Sequence, residues 1–297
     1  MAPRRLAALA PLAVLLLLSS CLAAAPATAQ QSSSIGDTVV FWGRNKAEGS
    51  LREACDTGLY NTVIISFLSA FGRGSYKLDL SGHPVVPVGG DIKYCQSKGK
   101  TVLLAIGGQG GEYYLPSSQA AADLDDYLWN AFLGGGRGGG RSGVARPFGD
   151  AVVNGIDFFI DQGATEHYDE LARLLHGHSN GGVMLTATAR CVFPDQRLQA
   201  ALATGLFSRI HVKLFNDGRC TWGRRESLEK WAAAYPDSRI FVGIVASPDA
   251  DRDAYMSHKD LYFDVLQFIN KLPNYGGIMV WNRYWDKKTG YINGDVF

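Results

Sequence analysis

The chain has 297 residues, 46% of them hydrophobic, with 29 Lys and Arg against 28 Asp and Glu and a formal charge of +1. That balance gives no electrostatic footprint for a nucleic acid or an anionic membrane surface, and the length suits one large single-core domain. Along the chain, "MAPRRLAALAPLAVLLLLSSCLAAAPATAQ" comes first: Arg4 and Arg5, an apolar run, then Ala27-Thr28-Ala29. It reads as a secretory signal peptide over residues 1–29, leaving a domain over 30–297 and a secreted, extracellular protein. The leucine run is short for a membrane span and no stop-transfer pattern follows it.

The next elements alternate. The apolar or β-branched runs "TVVFWG", "NTVIISFL", "TVLLAIGG", "GIDFFID", "VMLTATA", "RIHVKLF", "RIFVGIV" and "GGIMVW" predict strands. Between them, "SLREACDTG", "AAADLDDYLWNAFLGG", "HYDELARLLHGH", "LQAALATGLF", "SLEKWAAAYP" and "HKDLYFDVLQFINKL" predict helices. Strands that are apolar throughout suit a parallel sheet covered on both faces. Eight of them alternating with helices at this length predict a single (β/α)8 TIM barrel. The rival, an open doubly wound sheet, lacks a Gly-rich dinucleotide fingerprint after the first strand. "GGGRGGGRSG", residues Gly134 to Gly143, lacks the Lys-Ser/Thr of a phosphate loop and reads as a surface loop before the fourth strand.

Once Cys21 leaves with the leader, Cys55, Cys95, Cys191 and Cys220 remain. An even count in an oxidising compartment predicts two disulfides, with three connectivities open. No cysteine pair has metal-ligand spacing, and no cofactor motif is present, so neither a metal nor a cofactor is expected.

Chemistry concentrates in the fourth strand, "NGIDFFIDQG". Alternation puts Gly155, Asp157, Phe159 and Asp161 on one face and Ile156, Phe158 and Ile160 on the other. The acids then point into the barrel, with Asp161 at the C-terminal end of the strand, where catalytic groups of this fold sit. Asp161 alone could be a turn cap. Two acids in an apolar strand read instead as a functional or once-functional pair, because unpartnered buried carboxylates are costly.

"FWGRN", "SFLSAFG", "AIGG", "NGIDFFIDQG", "LTATARCVFPD" and "GGIMVWNRYWD" together resemble the plant class III chitinases of glycoside hydrolase family 18, in order along the whole mature chain. The family pattern Asp-Gly-x-Asp-x-Asp-x-Glu falls on Asn154, Gly155, Asp157, Phe159 and Asp161. By that resemblance the general acid Glu is replaced by the shorter Asp161, and the Asp that polarises the substrate N-acetyl group by Phe159. A Tyr that orients the N-acetyl carbonyl matches Phe215, and a Ser that supports the acids matches Ala105. The implied site is degenerate: Asp157 and Asp161 are vestigial, no residue is catalytic, and Arg44, Phe159, Lys213, Phe215 and Trp281 mark the former sugar pocket.

Within the superfamily, "FWGRNKAEGSLREACD", "LDLSGH", "DIKYCQSKG", "RPFGDA", "ALATGLF", "KWAAAYP" and "NYGGIMVWNRYWDK" resemble the cereal xylanase inhibitor proteins, which block fungal endo-xylanases. The resemblance implies disulfides Cys55–Cys95 and Cys191–Cys220 and a monomer with two partner-binding surfaces. Lys259, in a first helical turn bounded by a Ser257/Asp260 capping box, matches the basic residue presented to family 10 xylanases. The loop "HGHSNGGVM" is shorter than its counterpart directed at family 11 and lacks its Arg, leaving His178 and Asn180 as substitutes. A family 10 partner is therefore expected ahead of a family 11 one. Alternatives are a chitin-oligosaccharide-binding lectin and a weakly active chitinase. From the residues themselves, Lys213 shares a strand face with Phe215 and should point inward, within about 4 Å of Asp157 or Asp161.

Overall fold

The computed structural model describes Met1 and residues 35–135, 143–178 and 182–293. The expected leader, Asn180 and most of the Gly-Arg run lie outside the described residues, and the fold described here belongs to the unit spanning Ser32–Phe297. Its strands are β1 (Asp37–Trp42), β2 (Thr62–Phe71), β3 (Lys77–Leu78), β4 (Thr101–Gly108), β5 (Glu112–Tyr113), β6 (Gly155–Ile160), β7 (Met184–Arg190), β8 (Arg209–Lys213), β9 (Arg239–Val245) and β10 (Tyr275–Trp281).

Eight of these pair in parallel in the order β1-β10-β9-β8-β7-β6-β4-β2, and β1 pairs with β2 to close the barrel. The expected (β/α)8 architecture and its eight strands are present. The two short strands β3 and β5 are additions the apolar pattern did not predict; both lie on the extended end of β2.

Helices α1 (Leu51–Asp56), α2 (Val88–Ser97), α3 (Ser118–Ala131), α4 (Tyr168–Gly177), α5 (Gln199–Leu202), α6 (Arg224–Ala234), α7 (His258–Leu261), α8 (Gln267–Ile269) and α9 (Arg283–Thr289) surround it. Side-chain hydroxyls or amides start several of them: Ser50, Ser117, Ser257 and Asn282 each accept a backbone N–H of the first turn. Two helices escape the sequence pattern. At α2, Pro87 and the pair Gly89-Gly90 read as breakers, yet Gly89 is required for packing. A Cβ there would stand 2.2 Å from the Phe148 carbonyl oxygen. The short α9 carries Asn282 before it and Gly290, at φ +65°, after it. The long helix predicted over "HKDLYFDVLQFINKL" is interrupted: a π turn, Tyr262–Leu266, joins α7 to α8. The extra residue in that turn lets Leu261, Val265, Leu266 and Ile269 all bury.

Alternation along the strands sorts the core into two parts. Ile156, Phe158 and Ile160 pack outward under the helices, while Phe159 joins Phe41, Phe67, Leu103, Ala105, Phe215 and Met279 inside the barrel. Gly155 opens β6 where nothing larger fits, since a Cβ would lie 1.9 Å from the Met184 carbonyl oxygen. The disulfides are Cys55–Cys95, joining α1 to α2, and Cys191–Cys220, as the resemblance implied.

Candidate functional site

At the C-terminal mouth of the barrel, β6 presents Asp157 and then, just past its last residue, Asp161. Asp157 is fully buried. Its carboxylate accepts from the Thr186 hydroxyl at 2.6 Å and the Thr188 hydroxyl at 2.9 Å, and His211 Nδ1 lies 3.3 Å away. These partners come from β7 and β8, whose parallel register brings Thr186 level with Asp157 and His211 level with Thr188. The other ring nitrogen of His211, Nε2, is buried with no hydrogen-bond partner among the described residues. His211 and the two threonines were not singled out from the sequence, although the signal was there. Counting back by two from Lys213 puts His211 on the same inward face.

Asp161 is held differently. Lys213 Nζ donates to its Oδ1 at 2.8 Å, and Arg190 Nε donates to the same oxygen at 3.0 Å while Nη2 reaches the Asp161 carbonyl at 2.8 Å. Lys213 is 2% exposed, so the inward orientation and the distance expected from the sequence are both met. Arg190, at the end of β7, was not anticipated. Burial pushes the Asp161 carboxyl up, but the Lys213 and Arg190 charges outweigh it and hold the group below the usual carboxylate range. Burial pushes the Lys213 ammonium down, opposed by Asp161. The backbone is fixed as well: the Tyr113 hydroxyl accepts the N–H groups of Asp161 and Gln162 at 3.0 and 3.2 Å and donates to the Gly108 carbonyl at 2.5 Å. Burial pushes that phenol up to about 12.

Beside the acids an aromatic cluster fills the barrel interior. Phe159 meets Phe67, Phe41 and Trp281 at centroid distances of 5.1, 5.6 and 5.8 Å, and Phe215 stacks on Trp281 at 6.1 Å. The Lys213 ammonium lies 4.1 Å from the Phe159 ring centre, a cation–π contact with that cluster. An open cleft of about 650 Å³ remains beside it, lined by Arg44, Phe67, Asp79, Gln109, Glu112 and Trp281 among others. Of the residues expected to mark the sugar pocket, Arg44 and Trp281 line this cleft. Phe159, Lys213 and Phe215 do not; they are buried inside the barrel. Arg44 bridges to Asp79 at 3.5 Å and lies over Phe67. Buried Glu48 pins the "FWGRN" turn, accepting the N–H groups of Gly43, Arg44 and Asn45 at 2.8 to 3.0 Å.

The two expected partner-binding regions are separate from this centre. Lys259 is exposed in the first turn of α7. The capping box there is half formed: Ser257 accepts the Asp260 N–H, but the Asp260 carboxylate takes the Ser257 hydroxyl at 2.7 Å instead of returning to the backbone. His178, after α4, is engaged within the chain, with Nε2 2.9 Å from Asp125 and its ring stacked 4.1 Å from Trp129. Among the described residues no group of His, Cys, Asp and Glu is arranged to hold a metal ion.

Comparisons agree with this geometry. Residues 37–236 match the family described as Glycosyl hydrolases family 18. The chain is 67% identical to a xylanase inhibitor protein of Oryza sativa subsp. japonica, over 98% of this chain and 99% of that one. It is 40% identical to an acidic endochitinase of Cicer arietinum, over 89% and 92% of the two chains. Among solved structures, a xylanase and alpha-amylase inhibitor protein from Scadoxus multiflorus superposes with a TM-score of 0.82 at 36% identity, covering 87% of this chain and 97% of that one. The chain belongs to glycosyl hydrolase family 18, as a class III chitinase homologue of the kind that includes the cereal xylanase inhibitor proteins.

Proposed function

We propose that the chain is a secreted, catalytically inactive chitinase-like protein that inhibits microbial endo-1,4-β-xylanases by protein–protein binding, in plant defence. The observation that carries this reading is the near full-length 67% identity to the rice inhibitor. The site supports the absence of hydrolysis on chemical grounds. A glycosidic general acid must hold a proton at working pH, so its pKa has to be raised. Asp161 instead shares one oxygen between two cations and is held ionised. Phe159, standing where the resemblance expects the polarising Asp, can neither accept a hydrogen bond nor carry charge. Asp157 is fully engaged by two threonines with His211 beside it and has no path to a substrate.

The leader over residues 1–29 directs the domain over 30–297 out of the cell, and the protein acts as a monomer without cofactor. Lys259 carries the contact to a family 10 xylanase. By resemblance His178 and Asn180 are the substitutes for a family 11 contact; the short loop without its Arg, and the engagement of His178 with Asp125 and Trp129, support family 10 ahead of family 11. The test is a panel of fungal family 10 and family 11 xylanases titrated with the mature protein. Nanomolar inhibition of a family 10 enzyme is expected; no inhibition of any member would overturn the reading. A second reading, a chitin-oligosaccharide-binding lectin, is favoured by the open cleft that keeps Trp281 and Arg44 on its wall. Chito-oligosaccharide binding without turnover and without xylanase inhibition would select it. Slow release of chito-oligomers would select a weak chitinase.

A further inference from the structure

We infer that Trp222 is the aromatic anchor of the inhibitory surface, on the same barrel face as Lys259 and entering the sugar-binding cleft of the family 10 xylanase that Lys259 engages. The inference rests on the proposed inhibitor reading and adds a residue to its surface. Trp222 is 85% exposed, whereas Trp42 and Trp231 are 1% and 0% exposed, and it makes no ring contact among the described residues. An indole, with an apolar body and a polar N–H, is a side chain enriched at protein interfaces.

Its loop joins β8 to α6 and therefore opens on the face where the barrel strands end, the face from which α7 also starts. The loop is braced on both sides. Two residues earlier, Cys220 ends a short 3-10 turn and is bonded to Cys191. One residue later, Gly223 turns the chain into α6 at φ +66°, a conformation that favours glycine. An indole on so constrained a loop loses little freedom on binding.

Lys259 is on the same face. Trp222 shares the wall of a cleft of about 510 Å³ with Arg224, Arg225, Glu229 and Asp264. Asp264 lies on the π turn that continues α7, five residues after Lys259 and so roughly 7.5 Å along the axis. Arg225 lies 4.2 Å over the ring of Phe268 and ties α6 to that helix. Three and four residues after Lys259, Tyr262 and Phe263 are 46% and 53% exposed. Of the other cations of the patch, Arg225 pairs with Glu229, while burial pushes the Arg224 guanidinium down, opposed by Asp264 and Asp260. The Lys259 ammonium has no ion-pair partner among the described residues.

An aromatic plane and an ammonium without an ion pair, presented on one face, are complementary to the cleft of a polysaccharide hydrolase. Such a cleft carries paired catalytic carboxylates, and ligand-binding clefts in general are lined by aromatic and apolar walls. Trp is also the side chain most concentrated at interface hot spots.

The test compares inhibition of one fungal family 10 xylanase by the wild-type protein, Trp222→Ala, Trp222→Phe and Lys259→Ala, with thermal melts as the folding control. Trp222→Ala is expected to raise the inhibition constant at least ~10-fold at an unchanged melting temperature, with Trp222→Phe recovering most of the loss. In the wild type, complex formation should shift the tryptophan emission to the blue, and Trp222→Ala should abolish that shift. A Trp222→Ala variant that inhibits as well as wild type overturns the inference and leaves the inhibitor reading intact. A wild-type protein that does not inhibit removes both. If Trp222→Ala loses xylo- or chito-oligosaccharide binding yet inhibits normally, Trp222 is a glycan platform and the inference falls.

Discussion

Replacing each member of the Asp161–Lys213–Arg190 cluster in turn should destabilise the barrel unequally. Asp161→Asn leaves the Lys213 ammonium, 2% exposed, with a neutral amide at 2.8 Å and no other acid within salt-bridge distance among the described residues. Breaking a buried pair by removing one partner typically costs about 3–5 kcal/mol because the survivor's charge is stranded. Lys213→Met strands less. Asp161 keeps Arg190 at 3.0 Å, and the Arg190 side chain is 35% exposed and still hydrated, so a loss of about 1–2 kcal/mol is expected. The double variant Asp161→Asn/Lys213→Met should recover part of the larger loss. At roughly 2–4 °C per kcal/mol for a domain of this size, Asp161→Asn should melt about 6–20 °C below wild type. The pH dependence provides an independent check. Asp161 has a folded pKa below its unfolded value, so its contribution is complete above the ordinary carboxylate range and is lost as pH falls through the folded pKa. The acid limb of the stability curve should therefore be shallower in Asp161→Asn. Thermal and denaturant melts from pH 2 to 8 measure both effects. A larger loss from Lys213→Met than from Asp161→Asn would refute the reasoning.

Asp161→Glu alone should leave chito-oligosaccharide turnover undetectable, because Lys213 and Arg190 would still hold the acid ionised and Phe159 would remain; strong rescue by that one change, read as released oligomers, would place the defect elsewhere. Lys259→Ala should weaken family 10 inhibition by at least ~2 kcal/mol in a titration of xylanase activity, and should move the melting temperature little. Removing the Cys191–Cys220 bond by Cys220→Ser with Cys191→Ser opens a loop of 29 residues and should destabilise the fold by roughly 3–4 kcal/mol in denaturant melts, while the 40-residue Cys55–Cys95 loop should give slightly more.

Much of the fold was legible because a parallel barrel writes its strands as unbroken apolar runs. "TVLLAIGG" and "RIFVGIV" match β4 and β9 residue for residue. The helices were less so. Gly89 is a poor helix former by propensity and is held in α2 by the approach of the Phe148 carbonyl, a tertiary demand that no local window contains. The π turn in Tyr262–Leu266 likewise answers to the core it faces. In the site, period-two counting carried Asp157, Phe159, Asp161, Lys213 and Phe215 to the correct face. Arg190 was illegible for a different reason. Its partner lies one strand away, past the end of the paired part of β6 and β7, and its long side chain reaches back across the rim.

The aromatic cluster around Phe159 changes what the barrel interior demands of the rest of the molecule. A working hydrolase keeps open space and uncompensated charge at this point and accepts lower stability in return. Here the same point is filled with rings, and its charges are matched. On the proposed reading the βα loops at this end need not shape a transition state, and each can drift in length and composition without threatening the fold. A barrel with so filled an interior can serve as a display scaffold: surface loops can be re-tuned against one rival protein after another while the core stays as it is.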